Sequence, residues 1–397
     1  MVQSLQPHAE LEHDRLAESI EVDDEVEEEK HELDSVPQAT GDTEIADEDE
    51  DEDDSMQEPL ILVFMTSSVS QLAVHTVYEN GRRYCNDSYF MPNDDAEQTR
   101  LNIIHQAFLL LLDGELTKAP IPRGRPCRIL DIGTGPGDWA VEMGEMYPDA
   151  QVIATDISVF DAGPAVLGLP NVHFQLDDAE AAEWTYNEPF ELIHFRGLAG
   201  AFRNWAVVYQ QAFKNLTAGG YIEVVESEPD MDAIVFPDLH PDSYYNILAS
   251  AMQSTVLTTS IITTESNGVR AHLQPSLLTA SGFVDVRTYD ISVPLGTWPT
   301  DPRQSTLGKM MLIAFLEGLE ARCLRPLTAT GRWTASSVRD ICEKVKLEVA
   351  ASRGATVSVR FVTGRKPMSH APRRWRYQRR IEELLGEMDL SSGPSGT

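Results

Sequence analysis

Short apolar runs alternate with amphipathic stretches between residues 127 and 363, and each run is the length of one buried strand. Cys127 to Ile132 is the first such run and leads straight into three glycines. Asp138 to Met146 has helical composition with Asp138 as a first-turn acid, and Pro148-Asp149 breaks it before a second strand, Gln151 to Ala154. Val172 to Leu176 and Phe190 to Phe195 read as the third and fourth strands. A helix over Ala206 to Asn215, a turn at Thr217 to Gly220 and a fifth strand over Tyr221 to Glu226 follow. Further on, Leu273 to Ser281 is a helix closed by Gly282, Phe283 to Val293 is extended, about Ser336 to Ala351 is helical, and Thr356 to Thr363 is the last strand. Strands that alternate with helices imply an α/β fold with a parallel sheet covered on both faces.

The joint between the first strand and helix carries the chemistry. Asp131 is followed by Gly133, Gly135 and Gly137 at alternate positions, so the backbone can take positive φ and approach a ligand with no Cβ in the way. Asp156 closes the second strand 23 residues past Gly133, the distance at which a βαβ unit sets an acid beside a ribose diol. A phosphate-binding P-loop would need Gly-Lys-Ser/Thr, and no lysine occurs between Gly133 and Asp156. A dinucleotide turn would have its third glycine one position later. The acid-x-Gly-x-Gly-x-Gly form resembles motif I of the S-adenosylmethionine-dependent methyltransferases with the seven-stranded Rossmann-like fold. That resemblance implies S-adenosyl-L-methionine as cofactor and places an acid after the third strand, here Asp177 or Asp178, at the adenine amino group.

Separated motifs in the same order narrow the likeness. Tyr78-Glu-Asn-Gly-Arg-Arg-Tyr84, Pro92-Asn93-Asp94, the Leu-rich segment before Asp113-Gly114, Leu176-Asp-Asp-Ala-Glu180, Ile193-His-Phe-Arg196 with Trp205, Gly219-Gly220 and Gly364-Arg-Lys-Pro367 are similar to the fungal LaeA-like methyltransferases over about residues 70 to 367. The family holds both regulators of secondary metabolism and enzymes encoded in secondary-metabolite gene clusters. Pro136 and Asp138 depart from its usual turn, stiffening it and adding a negative charge. From the resemblance alone, Tyr78, Tyr84, Arg82 and Arg83 would form a lid.

A sulfonium methyl needs mainly an aligned nucleophile and exclusion of water, and a base only for a protonated acceptor. His194, at the carboxyl end of the fourth strand, is the candidate base; its alternative is to line the cofactor pocket or bond the backbone. Arg196 binds either the methionyl carboxylate or an acidic substrate, or else pairs with Asp177 or Asp178. Glu226 and Glu228 are weaker base candidates whose default is a solvated loop. Trp139 either stacks on the cofactor or packs its helix on the sheet. Tyr244, Tyr245, Ile247, Leu248, Met252 and Val256, within residues 229 to 275, have near-helical spacing that suits either a substrate wall or ordinary core.

Charge divides the chain into three. Residues 1 to 58 hold 24 Asp and Glu against Arg15 and Lys30, including the run Asp47 to Asp54, and so carry −22 of the formal −33. Such a segment cannot bury enough apolar surface to offset the entropy of ordering and is expected to be disordered. It reads either as an interaction tail for a basic protein partner or as a solubilising extension, and its charge disfavours direct nucleic-acid binding. Residues 59 to 369 form the expected catalytic domain. Residues 370 to 397 form a basic tail, in which Arg373, Arg374, Arg376, Arg379 and Arg380 surround Trp375 and Tyr377: an import signal, an anion site or a partner for the acidic tail, or a helix packed through Trp375 and Ile381. Leu60 to Met65 is too short to cross a bilayer, which needs roughly 20 residues, and the acidic start is not a secretion signal, so the cytoplasm or nucleus is expected. Cys85, Cys127, Cys323 and Cys342 have neither zinc-site nor disulfide-framework spacing, and no metal is expected. The reading is therefore a methyl transfer to a small-molecule, aromatic or polyketide-like metabolite, with a LaeA-like nuclear regulator as the alternative.

Overall fold

The computed structural model describes residues 76–87, 89–158, 169–227, 234, 236–258 and 271–368. Both charged tails, Glu228 and the side chain of Val256 lie outside these residues. Seven strands form one sheet: β3 (Cys127–Ile132), β4 (Ala150–Asp156), β5 (Val172–Leu176), β6 (Phe190–Arg196), β7 (Leu216–Glu226), β8 (Val284–Pro294) and β9 (Thr356–Arg365). They lie in the order β5-β4-β3-β6-β7-β9-β8. The arrangement is a class I Rossmann-like methyltransferase fold.

The pattern of buried runs explains the centre of this sheet. Ile129, Leu130, Val152, Ala154, Leu192, Ile193 and Phe195 are fully or almost fully buried, as strands covered on both faces require. One face packs under α2 (Asp138–Met146) through Trp139, Ala140 and Met143. The other packs under α3 (Trp205–Asn215) and α5 (Pro275–Ala280) through Trp205, Val208, Tyr209 and Leu278.

Two features differ from the linear pattern. The sheet is mixed, because β9 runs antiparallel to both β7 and β8. β8 therefore runs parallel to β7, and the chain enters β9 at the end of the sheet where it left β8. The expected turn at Thr217 to Gly220 is absorbed into β7 as an irregularity, with the pairing shifting between Phe190 and Leu192 and Gly219 at φ +87°.

Residues 294 to 335, to which the linear pattern assigned no element, contain α6 (Pro302–Ala329), begun by Asp301 accepting from Gln304 N–H with Pro302 in the first turn. α6, α7 (Ala335–Ala351), α4 (Tyr244–Thr258) and α1 (Asp95–Leu111) share a helical core against β7 to β9. Leu307, Met311, Ala314, Phe315 and Leu319 supply α6's apolar stripe.

A small hairpin, β1 (Val77–Glu79) with β2 (Arg82–Tyr84), sits against this helical layer. Arg82 makes a bidentate pair with Asp94, at 2.6 and 2.9 Å, and Asp94 also caps α1. From α6, buried Arg325 donates to Glu79, to the carbonyls of Asn86 and Tyr89, and lies 3.7 Å over the Tyr84 ring. These bonds hold the backbone at Asn86 and Tyr89.

α6 also approaches backbone without any intervening side chain. A Cβ at Gly308 would lie 2.1 Å from the carbonyl oxygen of Gly296. Alanine ordinarily favours a helix by about 1 kcal/mol over glycine, but backbone cannot yield as a side chain can. Gly308→Ala is therefore expected to destabilise the protein by about 1–3 kcal/mol, the usual cost of overpacking, measured as a lower midpoint in urea.

Candidate functional site

The carboxyl ends of β3 to β7 open into a cavity of about 400 Å³, within the range of roughly 300–1,000 Å³ typical of small-molecule sites. Its floor is the glycine turn. Gly133, Gly135 and Gly137 have φ of +67°, +59° and +92°. A Cβ at Gly133 would strike Leu198 at 2.4 Å, and one at Gly137 would strike Phe174 at 2.5 Å. At Gly135 the nearest atom would be Leu101 Cδ1 at 3.6 Å. The first and third glycines thus serve packing as well as backbone angle, while the middle one keeps the cavity open.

Asp156 locks this turn to the next strand. Its Oδ2 accepts the Gly135 N–H at 2.9 Å, and its Oδ1 accepts the Ser158 N–H at 3.0 Å and hydroxyl at 2.9 Å. Burial raises its pKa against the pull of those three donors. Asp177 accepts the Tyr186 hydroxyl and the Asp178 N–H, and burial raises its pKa also. Asp178 accepts from Glu180 N–H. Asp131, Asp156, Asp177, Asp178 and Arg196 all line the cavity. Tyr186 has no counterpart in the linear reading, since its role appears only when the loop folds back over Asp177.

His194 does not line the cavity, and this corrects its assignment as base. It lies behind Asp131, sharing a 2.8 Å hydrogen bond through Nδ1, and its ring stacks on Trp139 at 3.8 Å between centroids. On the sheet it stands in register with Asp131 on one side and Glu223 on the other. Glu223 is fully buried and accepts the N–H groups of Lys118 and Ala119, and burial raises its pKa. His194 accordingly holds Asp131 in position rather than meeting a ligand. Trp139 packs helix on sheet, and its Nε1 donates to Leu116 O.

Other expectations also change. Arg196 pairs with neither Asp177 nor Asp178; both its terminal nitrogens lie near His105 Nδ1, at 3.2 and 3.3 Å. Glu226 is not a solvated loop acid: it is buried, and its Oε1 accepts from Leu198 N–H and lies 3.2 Å from His272 Nε2. Tyr78, Tyr84, Arg82 and Arg83 do not cover the site. Arg82, Arg83 and Tyr84 instead hold neighbours of Cys85, Asn86 and Tyr89 to Asn93, which do line it together with Glu97, Arg100 and Leu101 of α1 and Arg322 of α6. Tyr245, Leu248 and Met252 are buried in the helical core rather than in a substrate wall. Tyr89 turns toward the cavity with the Cys85 thiol nearby, the latter pushed up to about 12 by burial.

The floor is rich in carboxylates and its glycine cradle would be filled by a Cβ, a combination suited to a cationic nucleoside. Among the described residues no group of His, Cys, Asp and Glu is placed to hold a metal, and no helix is long and apolar enough to cross a membrane.

Comparison with known proteins agrees with this arrangement. The family model described as a methyltransferase domain matches residues 103–255. Methyltransferase pytC of Aspergillus terreus is 34% identical over 282 residues, covering 68% of this chain and 82% of that protein. Secondary metabolism regulator LAE1 of Cochliobolus heterostrophus is 34% identical over 305 residues, covering 73% and 94%. Among solved structures, phosphoethanolamine N-methyltransferase 2 of Haemonchus contortus, in complex with S-adenosyl-L-methionine, is 16% identical with a TM-score of 0.37. That match covers 68% of this chain and just over half, 53%, of the other.

His105 gives the site a pH signature. Burial, then the neighbouring Arg196 and His194, lower its pKa from 6.5 to about 3. Between those values the unfolded chain binds a proton that the folded protein refuses. This contribution to stability is complete above pH 6.5 and is lost as pH falls toward 3, by up to about 1.4 kcal/mol per pH unit. His105→Gln should remove that part of the slope, so its melting temperature should fall less than the wild type's between pH 6.5 and 4.5.

Proposed function

Since this chain belongs to the fungal family of S-adenosylmethionine-dependent methyltransferases that includes pytC and the LaeA-like regulators, we propose that it acts as a regulator of secondary-metabolite production, using its cofactor site together with protein partners. One geometric observation carries this reading. Tyr245, Leu248 and Met252, half of the helical stripe that would have walled a pocket for a polyketide-like metabolite, lie in the helical core instead. The regulator relatives are also matched along nearly their whole length. The acidic segment of residues 1 to 58 would suit a basic protein partner, and the nucleus is the compartment this role requires.

The cofactor is S-adenosyl-L-methionine, which when bound supplies a methyl group already activated on sulfur. Each floor residue has a part in holding it. Gly133, Gly135 and Gly137 would let the backbone come close; Asp156 would offer its remaining lone-pair capacity to the ribose hydroxyls, and Asp177 or Asp178 would accept from the adenine amino group. Arg196, beside Asp131 and Asp138, suits the methionyl carboxylate. Glu226, rather than His194, is the acid at the cavity wall able to take a proton from an acceptor.

A second reading, methylation of one small metabolite, is favoured by the pytC likeness and by the apolar side chains of Phe90, Met91 and Ile104 at the cavity edge. Deleting the gene and profiling metabolites separates the two. A regulator predicts loss of several unrelated products, whereas a pathway enzyme predicts a single product lacking one methyl group.

The glycine turn gives a paired test by calorimetry with S-adenosylhomocysteine. Gly135→Val should abolish measurable binding while losing only about 1–2 kcal/mol of stability to backbone strain, because its side chain enters the cavity. Gly133→Val should unfold the protein more readily, because its side chain enters Leu198. Unchanged affinity in Gly135→Val would remove the glycine turn from the binding site.

A further inference from the structure

The segment between β5 and β6 folds back on its own beginning, and the Tyr186 hydroxyl makes the join. Asp177 directly follows β5. Its N–H donates to Asp156 O at 3.0 Å, its Oδ1 accepts the Asp178 N–H at 2.9 Å, and its Oδ2 accepts the Tyr186 hydroxyl at 3.1 Å. Asp178 is held otherwise: its Oδ1 accepts the Glu180 N–H at 2.8 Å, and its carbonyl accepts the Ala181 N–H at 2.9 Å. Both acids border the cavity, and Tyr186 does not.

Packing fixes where the phenol points. The Tyr186 ring meets Phe190 edge to face, 5.0 Å between centroids at 84°, and meets Trp184 at 6.1 Å and 85°. Phe190 is fully buried at the start of β6, and the Trp184 indole donates to Ala179 O at 3.1 Å. The hydroxyl is thus presented to Asp177 from a packed ring. Burial raises the Asp177 pKa, and the bonds from Tyr186 and from the Asp178 N–H oppose that rise. Tyr186 therefore favours the ionised carboxylate, which can only accept hydrogen bonds.

That property discriminates between purines. Adenine presents an amino donor at C6, whereas hypoxanthine presents an acceptor oxygen there, which an acceptor-only acid repels. We propose that Asp177, rather than Asp178, reads the C6 substituent of the cofactor's purine, and that Tyr186 is the positioning residue that sets this choice in favour of the amino form. The assignment rests on an S-adenosyl nucleoside occupying this cavity, under either reading of the biological role. Asp177 is held at its N–H and at both carboxylate oxygens, and a group fixed in this way keeps its direction when the ligand arrives. Its N–H bond to Asp156 O also ties the acid that reads the base to the residue facing the ribose, so base and sugar are located together.

The test titrates the full chain by calorimetry with S-adenosylhomocysteine and with S-inosylhomocysteine, its 6-oxo counterpart. The wild type should bind the adenosyl form at least about tenfold more tightly, as expected when a hydrogen bond to a charged group is lost. Tyr186→Phe keeps the ring and its packing, and should lower that ratio about fivefold. A purely structural role for Tyr186 would weaken both ligands alike, and an unchanged ratio in this variant overturns the proposal. Asp177→Asn, whose amide can donate to the 6-oxo group, should bring the two affinities close together. Equal binding of both nucleosides by the wild type would overturn the proposal without using any variant. Loss of discrimination in Asp178→Asn, with Tyr186→Phe discriminating as the wild type does, would assign the base to the neighbouring acid and also overturn it. Failure of the wild type to bind S-adenosylhomocysteine at all would remove the cofactor site itself, a separate outcome that takes this assignment with it.

Discussion

The bond from Gly135 N–H to the Asp156 carboxylate is the constraint on which the site depends. It joins the turn after β3 to the end of β4, beside a backbone bond from Thr134 N–H to Thr155 O. A turn with three consecutive alternate residues at positive φ would otherwise be a costly place to be ordered. Asp156 keeps it in one shape at the price of a buried carboxylate with a raised pKa. Ser158 spreads that charge over two further donors, so the acid stays fixed where a nucleoside must meet it.

Behind this turn, the row Asp131, His194 and Glu223 crosses three adjacent strands, with Trp139 stacked over its centre. Polar groups at the middle of a sheet are tolerated only when hydrogen-bonded. Here they set the direction of Asp131, which reaches the cavity, by burying a histidine, which does not. The site therefore has a rigid acidic floor supplied by the sheet, and its precision comes from residues that never contact a ligand.

The opposite wall is built by different means. α6 comes from a distant part of the chain to meet α1 and the residues just before it, and its buried Arg325 reaches Glu79, the Tyr84 ring and the backbone carbonyls of Asn86 and Tyr89. Asp131, Asp156 and Arg196 reach the cavity from strand ends, while Glu97, Arg100 and Arg322 reach it from helices.

The linear pattern was sufficient for the βαβ unit, because strand runs, glycine spacing and Asp156 are all local and each rests on backbone rules that act over a few residues. It was also sufficient for the cofactor class and for most strand positions. It did not yield α6, whose apolar residues Leu307, Met311, Phe315 and Leu319 are interleaved with Lys309, Glu317 and Glu320 and whose interior carries Pro326. Nor could it tell which way a strand-end side chain faces: His194 and Arg196 are two residues apart on one strand, yet the first is sealed under Trp139 and the second borders the cavity. Glu226 is a buried wall residue whose partners, the Leu198 N–H and His272, both arrive from remote segments. The sequence by itself determined the fold, the turn and the cofactor, because these follow from short-range geometry. The tertiary structure alone decided which acids and arginines share the cavity, because burial and charge pairing are set by neighbours that the chain brings from far away.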